Sequence, residues 1–277
     1  MAVDMALELI HATVQLEQPL GDGTRTVGTG FLIAAAGPDG EPRTVLITAH
    51  HVFQKMPGAN ARIGFRIANA DGSWSYSPQP LKIRDGEGQE LWTHHPGRDI
   101  AAIAIKAPAE FARAAIPLAY LASDDTFRAN HLNTGDEMMA LGFPRGLSAN
   151  AAGFPILRSG RVASYPLAPA DVFPTFLLDF SVFPGNSGGP VFVTTQGLAE
   201  GPTPAGASTP TPGFIAGLLT QQVELNSERL EIGIVTHAKF IRETIVLLGD
   251  PLAVSTVSVA PAVTGAHAAT AEEMAKE

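Results

Sequence analysis

Along the chain, apolar residues fall into short β-branched runs broken by glycine, proline, asparagine and aspartate. Residues 27–33 and 44–48 are two such runs, and Gly37-Pro38-Asp39-Gly40 between them is a strong turn cluster. Together they predict a hairpin. Further strands are expected over residues 62–67, 81–84, 100–106, 137–142, 158–164, 175–180, 191–195, 214–222 and 232–236. About a dozen short strands separated by turn residues point to an all-β sandwich or barrel. Residues 7–16 read as a first strand whose N-terminal part fits a short helix equally well, and residues 238–248 carry apolar positions at helical spacing. The Pro/Gly/Ala/Thr tract at 197–213 reads as a long surface loop, and residues 250–277 read as a flexible tail with at most a short helix. No internal repeat is present.

Composition sharpens this picture. The 277 residues are enough for one large domain or two small ones, and 28 glycines with 22 prolines suit strands and turns better than long helices. A formal charge of −9 gives no basic footprint for nucleic acid or an anionic membrane surface, so neither is expected as a partner. With no cysteine there is no disulfide, no thiolate nucleophile and no cysteine-based metal site. No stretch reaches the roughly 18 apolar residues of a membrane span, and the N-terminus lacks the pattern of a secretory signal. A cytoplasmic location is the expectation.

Three motifs carry chemistry, in the order histidine, aspartate, serine. Leu46-Ile47-Thr48-Ala49-His50-His51-Val52 runs a buried-looking strand into two histidines. Gly97-Arg98-Asp99-Ile100 sets a lone acid before an apolar strand, and Pro184-Gly185-Asn186-Ser187-Gly188-Gly189-Pro190 sets a serine among glycines. A serine hydroxyl attacks a carbonyl poorly unless a base takes its proton, and neutral histidine is the usual base. A carboxylate then fixes the ring tautomer and stabilises the imidazolium. Glycines beside the serine let the N–H groups of Gly185 and Ser187 converge on a developing oxyanion. The pattern Gly-x-Ser-x-Gly also occurs in the nucleophile elbow of α/β-hydrolases, but there a helix follows the serine and the acid and histidine come later in the chain. Here a strand is expected after Ser187.

The motifs "GTGFLI", "LITAHHV", "RDIAAIAI", "ALGFPRG", "RSGRVAS", "LLDFSVFPGNSGGPVF" and "GLLT" occur in the order found in the trypsin-like protease superfamily, which the chain resembles over residues 8–249, and most closely in its bacterial HtrA-like branch. The resemblance implies two packed six-stranded antiparallel barrels, about 8–120 and 121–249, with a C-terminal helix and a site in the cleft between them. It implies a serine endopeptidase acting on polypeptide without cofactor or metal. The Thr-Ala-x-His pattern assigns the general base to His51 and not His50. Asp99 then becomes its orienter, Ser187 the nucleophile, and Gly185 with Ser187 the oxyanion hole, roles that belong to a worked example of this family. Thr220 matches a hydroxyl residue that can hydrogen-bond the aspartate, and Thr220, Gln221 and Gln222 should offer backbone groups to an extended substrate. Ser181 matches the base of the primary pocket. Being neutral, it predicts cleavage after small or medium uncharged residues, with Gln222 narrowing the entrance.

Two departures stand out. Asn186 replaces the aspartate that pairs with a newly cut N-terminus in animal trypsins, so activation by N-terminal cleavage is not expected. HtrA proteins add PDZ domains, and residues 250–277 are too few for one. His94 and His95 precede Pro96 without a metal-binding pattern and read as structural. His131, His237 and His267 have no visible partner, and Trp74 and Trp92 read as packing residues. The rival function is a peptide-holding module on the same scaffold with little turnover. A non-peptidic esterase is a third.

Overall fold

The computed structural model describes residues 4–37, 40–194, 213–225, 228–248, 255–256 and 268–270. Asp4 caps the first element: its Oδ1 accepts from the N–H groups of Ala6 and Leu7 at 3.1 and 3.3 Å. The helix α1 (Met5–Ala12) buries Met5, Leu9 and Ala12, spaced to share one face. The sequence left this stretch between helix and strand. The cap decides for helix as far as Ala12, and β-branched Thr13 and Val14 then start β1 (Thr13–Pro19).

The predicted hairpin is β2 (Arg25–Ala36) against β3 (Pro42–Thr48), antiparallel from Gly30↔Thr48 to Ala36↔Pro42. A short helix α2 (His50–Gln54) follows, then β4 (Asn60–Ala68), β5 (Trp74–Lys82), the two-residue β6 (Thr93–His94) and β7 (Ala101–Lys106). β5 is longer than the 81–84 strand expected. Pro78 and Pro80 interrupt its sequence signal, and prolines are tolerated because β5 ends the strand path as an edge. After α3 (Ala109–Ala112) and the two-residue β8 (Ile116–Pro117), the chain passes through α4 (Asp124–Ala129) into the second half.

There β9 (Glu137–Gly142), β10 (Ile156–Val162), β11 (Thr175–Asp179), β12 (Pro190–Val193), β13 (Phe214–Leu225) and β14 (Glu228–His237) close into a barrel in the order β10-β11-β14-β13-β12-β9. This is the six-stranded antiparallel barrel expected. The C-terminal helix α5 (Ala238–Leu247) follows directly, and β15 (Ser255–Thr256) comes last. The first half supplies six antiparallel strands in the order β7-β3-β2-β1-β4-β5. The two-residue strands β6, β8 and β15 bring its sheet to nine, with β8 on β2 and β15 on β7 in parallel. β15 also lies against β5 at the far end of the path, so the sheet curls round.

One apolar core runs through both halves. Arg66 of β4 joins them. Only 6% exposed, its guanidinium donates to the carbonyls of Ile10, His11 and Thr13 at the end of α1 and to Gly153 of the second half, at 2.7–3.1 Å. Burial pulls its pKa down to about 10, which leaves it charged at neutral pH. The described residues of the segment read as a tail touch both halves. β15 pairs with β7, and Ala269 O accepts from Ser148 N at 2.8 Å beside a Ser148↔Thr270 bridge. Residues 195–212, with nearly all of the expected 197–213 loop, lie outside the described residues. Among the described residues no helix is long and apolar enough to cross a membrane.

Candidate active site

The loop from Pro184 to Gly189 leaves the barrel and threads against the first half. Gly185 and Gly188 have φ of 97° and 91°, a region that side-chain-bearing residues rarely adopt. Space forbids a side chain as well: a Cβ on Gly185 would stand 2.3 Å from Phe143 O, and one on Gly188 2.0 Å from Thr29 O. Thr29 of β2 ties the loop down. Its Oγ1 donates to Gly185 O at 2.7 Å and accepts from Phe143 N at 3.1 Å, while its N–H donates to Ser187 O at 2.9 Å. Thr48 Oγ1 in turn donates to Thr29 O at 2.7 Å. With their carbonyls so held, the N–H groups of Gly185 and Ser187 have no hydrogen-bond partner among the described residues.

His51 is the second residue of α2, just beyond the end of β3. Asp99 reaches it with both oxygens: Oδ1 accepts the His51 backbone N–H at 2.9 Å, and Oδ2 lies 2.6 Å from Nδ1. A carboxylate can only accept, so the proton of the neutral ring sits on Nδ1 and the Nε2 lone pair is free. Burial pushes the Asp99 carboxyl up, but the hydrogen bonds and charge of His51 outweigh it and hold the group below its ordinary range. His50 is engaged elsewhere. Trp92 Nε1 donates to its Nδ1 at 3.1 Å, its ring stacks on His94 at 4.3 Å, and burial with the neighbouring His94 lowers its pKa.

The turn bearing Asp99 is braced by α5. His95 Nδ1 accepts from Gly97 N at 3.1 Å, so its proton is on Nε2, which lies 3.1 Å from Glu243 Oε2. The Arg98 guanidinium sits 4.8 Å from the Phe240 ring centroid.

The loop that carries Ser187 packs against the segment that leads into His51. A Cβ on its neighbour Gly188 would meet Thr48 Oγ1 and Ala49 N at 2.3 and 3.0 Å, and Thr48 and Ala49 lead straight into His51. The Ser187 hydroxyl itself donates to Thr220 O at 3.0 Å, and among the described residues no hydrogen bond joins it to His51. The structure thus joins His51 to Asp99 and sets the Ser187 hydroxyl on a different acceptor, Thr220 O. The Thr220 hydroxyl, expected near Asp99, donates instead to Ile234 O at 3.2 Å. The strand explains this correction: the β13–β14 register slips between Leu219 and Gln221, which turns Thr220 towards β14. Gln221 and Gln222 pair with Ile234 and Gly233, whereas β12 pairs with β13 only as far as Leu218, and among the described residues no strand pairs with the other edge of β13 beyond Leu219. Ser181 is half-buried between the buried Phe180 and Val182.

Sequence reasoning missed Thr29, whose only signal is its place between two glycines in a strand. It also missed the arginines around Phe183 described below. Among the described residues no group of three or more histidine, cysteine, aspartate or glutamate side chains could hold a metal ion.

Residues 28–199 match the family model of the trypsin-like peptidase domain. The chain belongs to this family. Similar solved structures include an HtrA-type protease, AlgW with decapeptide, at 17% identity and TM-score 0.50, matching 88% of this chain. This peptidase domain spans 66% of that neighbour's length. The Rv3671c protease from M. tuberculosis in its active form is similar at 18% identity and TM-score 0.48, over 96% of this chain and 92% of that one. No curated protein matches this peptidase.

Proposed function

We propose that this trypsin-like peptidase is a serine endopeptidase of the HtrA-like branch, cutting polypeptides through an acyl-enzyme on Ser187. The carrying observation is the two-point grip of Asp99 on His51, beside a serine whose own N–H and that of Gly185 are unpartnered. Ser187 Oγ leaves Thr220 O and attacks the scissile carbonyl while His51 Nε2 takes its proton. The carbonyl oxygen becomes an oxyanion that the two N–H groups receive, and Asp99 stabilises the imidazolium. Collapse expels the amine, which takes the proton from His51. A water deprotonated by His51 then attacks the ester, and the released serine recovers its proton.

The edge of β13 at Thr220, Gln221 and Gln222 suits strand addition by an extended substrate, which favours internal bonds of a chain. Neutral Ser181 favours small or medium uncharged residues before the cleaved bond. The Ser187–Thr220 hydrogen bond supports a second reading, a module that holds peptides with little turnover. Hydrolysis of an unfolded protein separates the two. Ser187→Ala should lower its rate on the order of 10⁴-fold or more, as single triad deletions do. Wild-type turnover in Ser187→Ala would remove Ser187 from the mechanism, and absence of turnover in the wild type would favour the holding module.

A further inference from the structure

Phe183, four residues before Ser187, lies under two guanidinium groups. Arg145 Cζ is 5.6 Å and Arg158 Cζ 5.5 Å from its ring centroid, and Arg158 also stands 5.4 Å from the centroid of Phe180. The two arginines come from different places. Arg145 belongs to the turn after β9, which presses on the candidate oxyanion loop: its N–H donates to Pro184 O at 2.6 Å, and a Cβ on Gly185 would stand 3.2 Å from its nitrogen. Arg158 is on β10.

Neither arginine has a carboxylate partner among the described residues. Arg158 faces Ala140 across β9, whereas Arg161 on the same strand faces Glu137 on one side and Asp179 on the other. Arg145 is exposed and has a φ of 53°, uncommon for a residue with a side chain. Backbone strain of this kind costs roughly 1–3 kcal/mol and clusters at functional sites. In a chain of formal charge −9, two unpaired cations on one ring beside the nucleophile form a local field of the opposite sign.

The barrel order sets Arg158 on β10 apart from the β13 edge. Around the ring β10-β11-β14-β13-β12-β9, the strand β10 lies opposite β13. An extended peptide whose acyl part lies along that edge of β13, with its scissile carbonyl at Ser187, continues on its leaving-group side towards Arg145 and Arg158. We infer that these two arginines select substrates carrying aspartate or glutamate at the first or second residue after the cleaved bond. Guanidinium groups held over a ring can present N–H donors to a carboxylate. The inference rests on the endopeptidase reading.

Its test uses two sets of matched peptides that differ only in Glu or Gln, one set at the first and one at the second residue after the cleaved bond. Screened ion pairs at an accessible site predict a three- to tenfold higher kcat/KM for the Glu peptide of at least one set at low salt, shrinking as salt rises. In the Arg145→Gln, Arg158→Gln double variant the ratio should fall to about one. A ratio of one for both sets in the wild type, or a ratio kept by the double variant, overturns the inference. Binding of the same peptides to Ser187→Ala separates it from the underlying reading. If the wild type cleaves none of the peptides but Ser187→Ala still binds the Glu form more tightly, the endopeptidase reading fails and the arginine site stands. If binding does not discriminate, the arginine site fails.

Discussion

His237 is 2% exposed, between the rings of Phe127 and Phe176 at centroid distances of 4.9 and 5.0 Å, and its Nε2 has no partner among the described residues. Burial drives its pKa down to about 4, against an opposing pull from Asp124. The folded protein therefore keeps this ring neutral while an unfolded chain protonates it near 6.5. Its contribution to stability is complete above that value and is lost as pH falls towards 4, a change of about 3 kcal/mol. Denaturant unfolding at pH 7 and pH 4.5 should show His237→Leu and His237→Phe losing about 2–3 kcal/mol less than the wild type over that interval. Equal losses would remove His237 as the cause. At this scale the sequence was informative where chemistry dictates residue identity, as at His51 and Asp99, which the structure joins. It was silent where a role depends on burial: nothing in the residues around His237 distinguishes a neutral core histidine from a solvated one.

Among the elements, α5 links the chain's end to its candidate chemistry. The helix packs on β13 of the barrel and on β6 and β7 of the first sheet, and Glu243 and Phe240 hold His95 and Arg98 on either side of the turn that leads to Asp99. Asp99 holds His51 by two hydrogen bonds, so loosening this turn should misplace the proposed base. We expect His95→Ala and Glu243→Ala to lower kcat roughly tenfold with KM nearly unchanged, since small misplacements of catalytic groups are costly. Glu243→Gln, which can still accept from His95 Nε2, should recover most of the rate. Unchanged kcat in both alanine variants would show that the turn holds itself. The helical spacing of α5 was legible; its grip on the Asp99 turn was not, because Glu243 and His95 are far apart in the chain. The strands tell a similar story. β2, β3 and β7 showed themselves through apolar, often β-branched runs, whereas β5 was half hidden by Pro78 and Pro80, which an edge strand accommodates.

On the scale of the whole molecule, the two halves meet through polar contacts as well as apolar packing. Thr29 of the first sheet holds the glycine loop of the barrel, and Arg66 binds Gly153 across the same divide. The order histidine, aspartate, serine along the chain reflects this architecture: the first half carries His51 and Asp99, the proposed base and its orienter, and the barrel half carries Ser187, the proposed nucleophile. That division was legible through the motifs and their resemblance to a known family, while the contacts across it depend on tertiary packing that local patterns do not encode. The account stands on Ser187 being activated by His51 and Asp99 in the assembled cleft. The most direct measurement is the intact mass of the protein after reaction with a fluorophosphonate, with peptide mapping of the adduct. We predict one adduct per chain on Ser187, none in Ser187→Ala, and labelling slowed by orders of magnitude in His51→Ala. An unmodified wild-type chain, or an adduct mapped to another residue, would contradict the account.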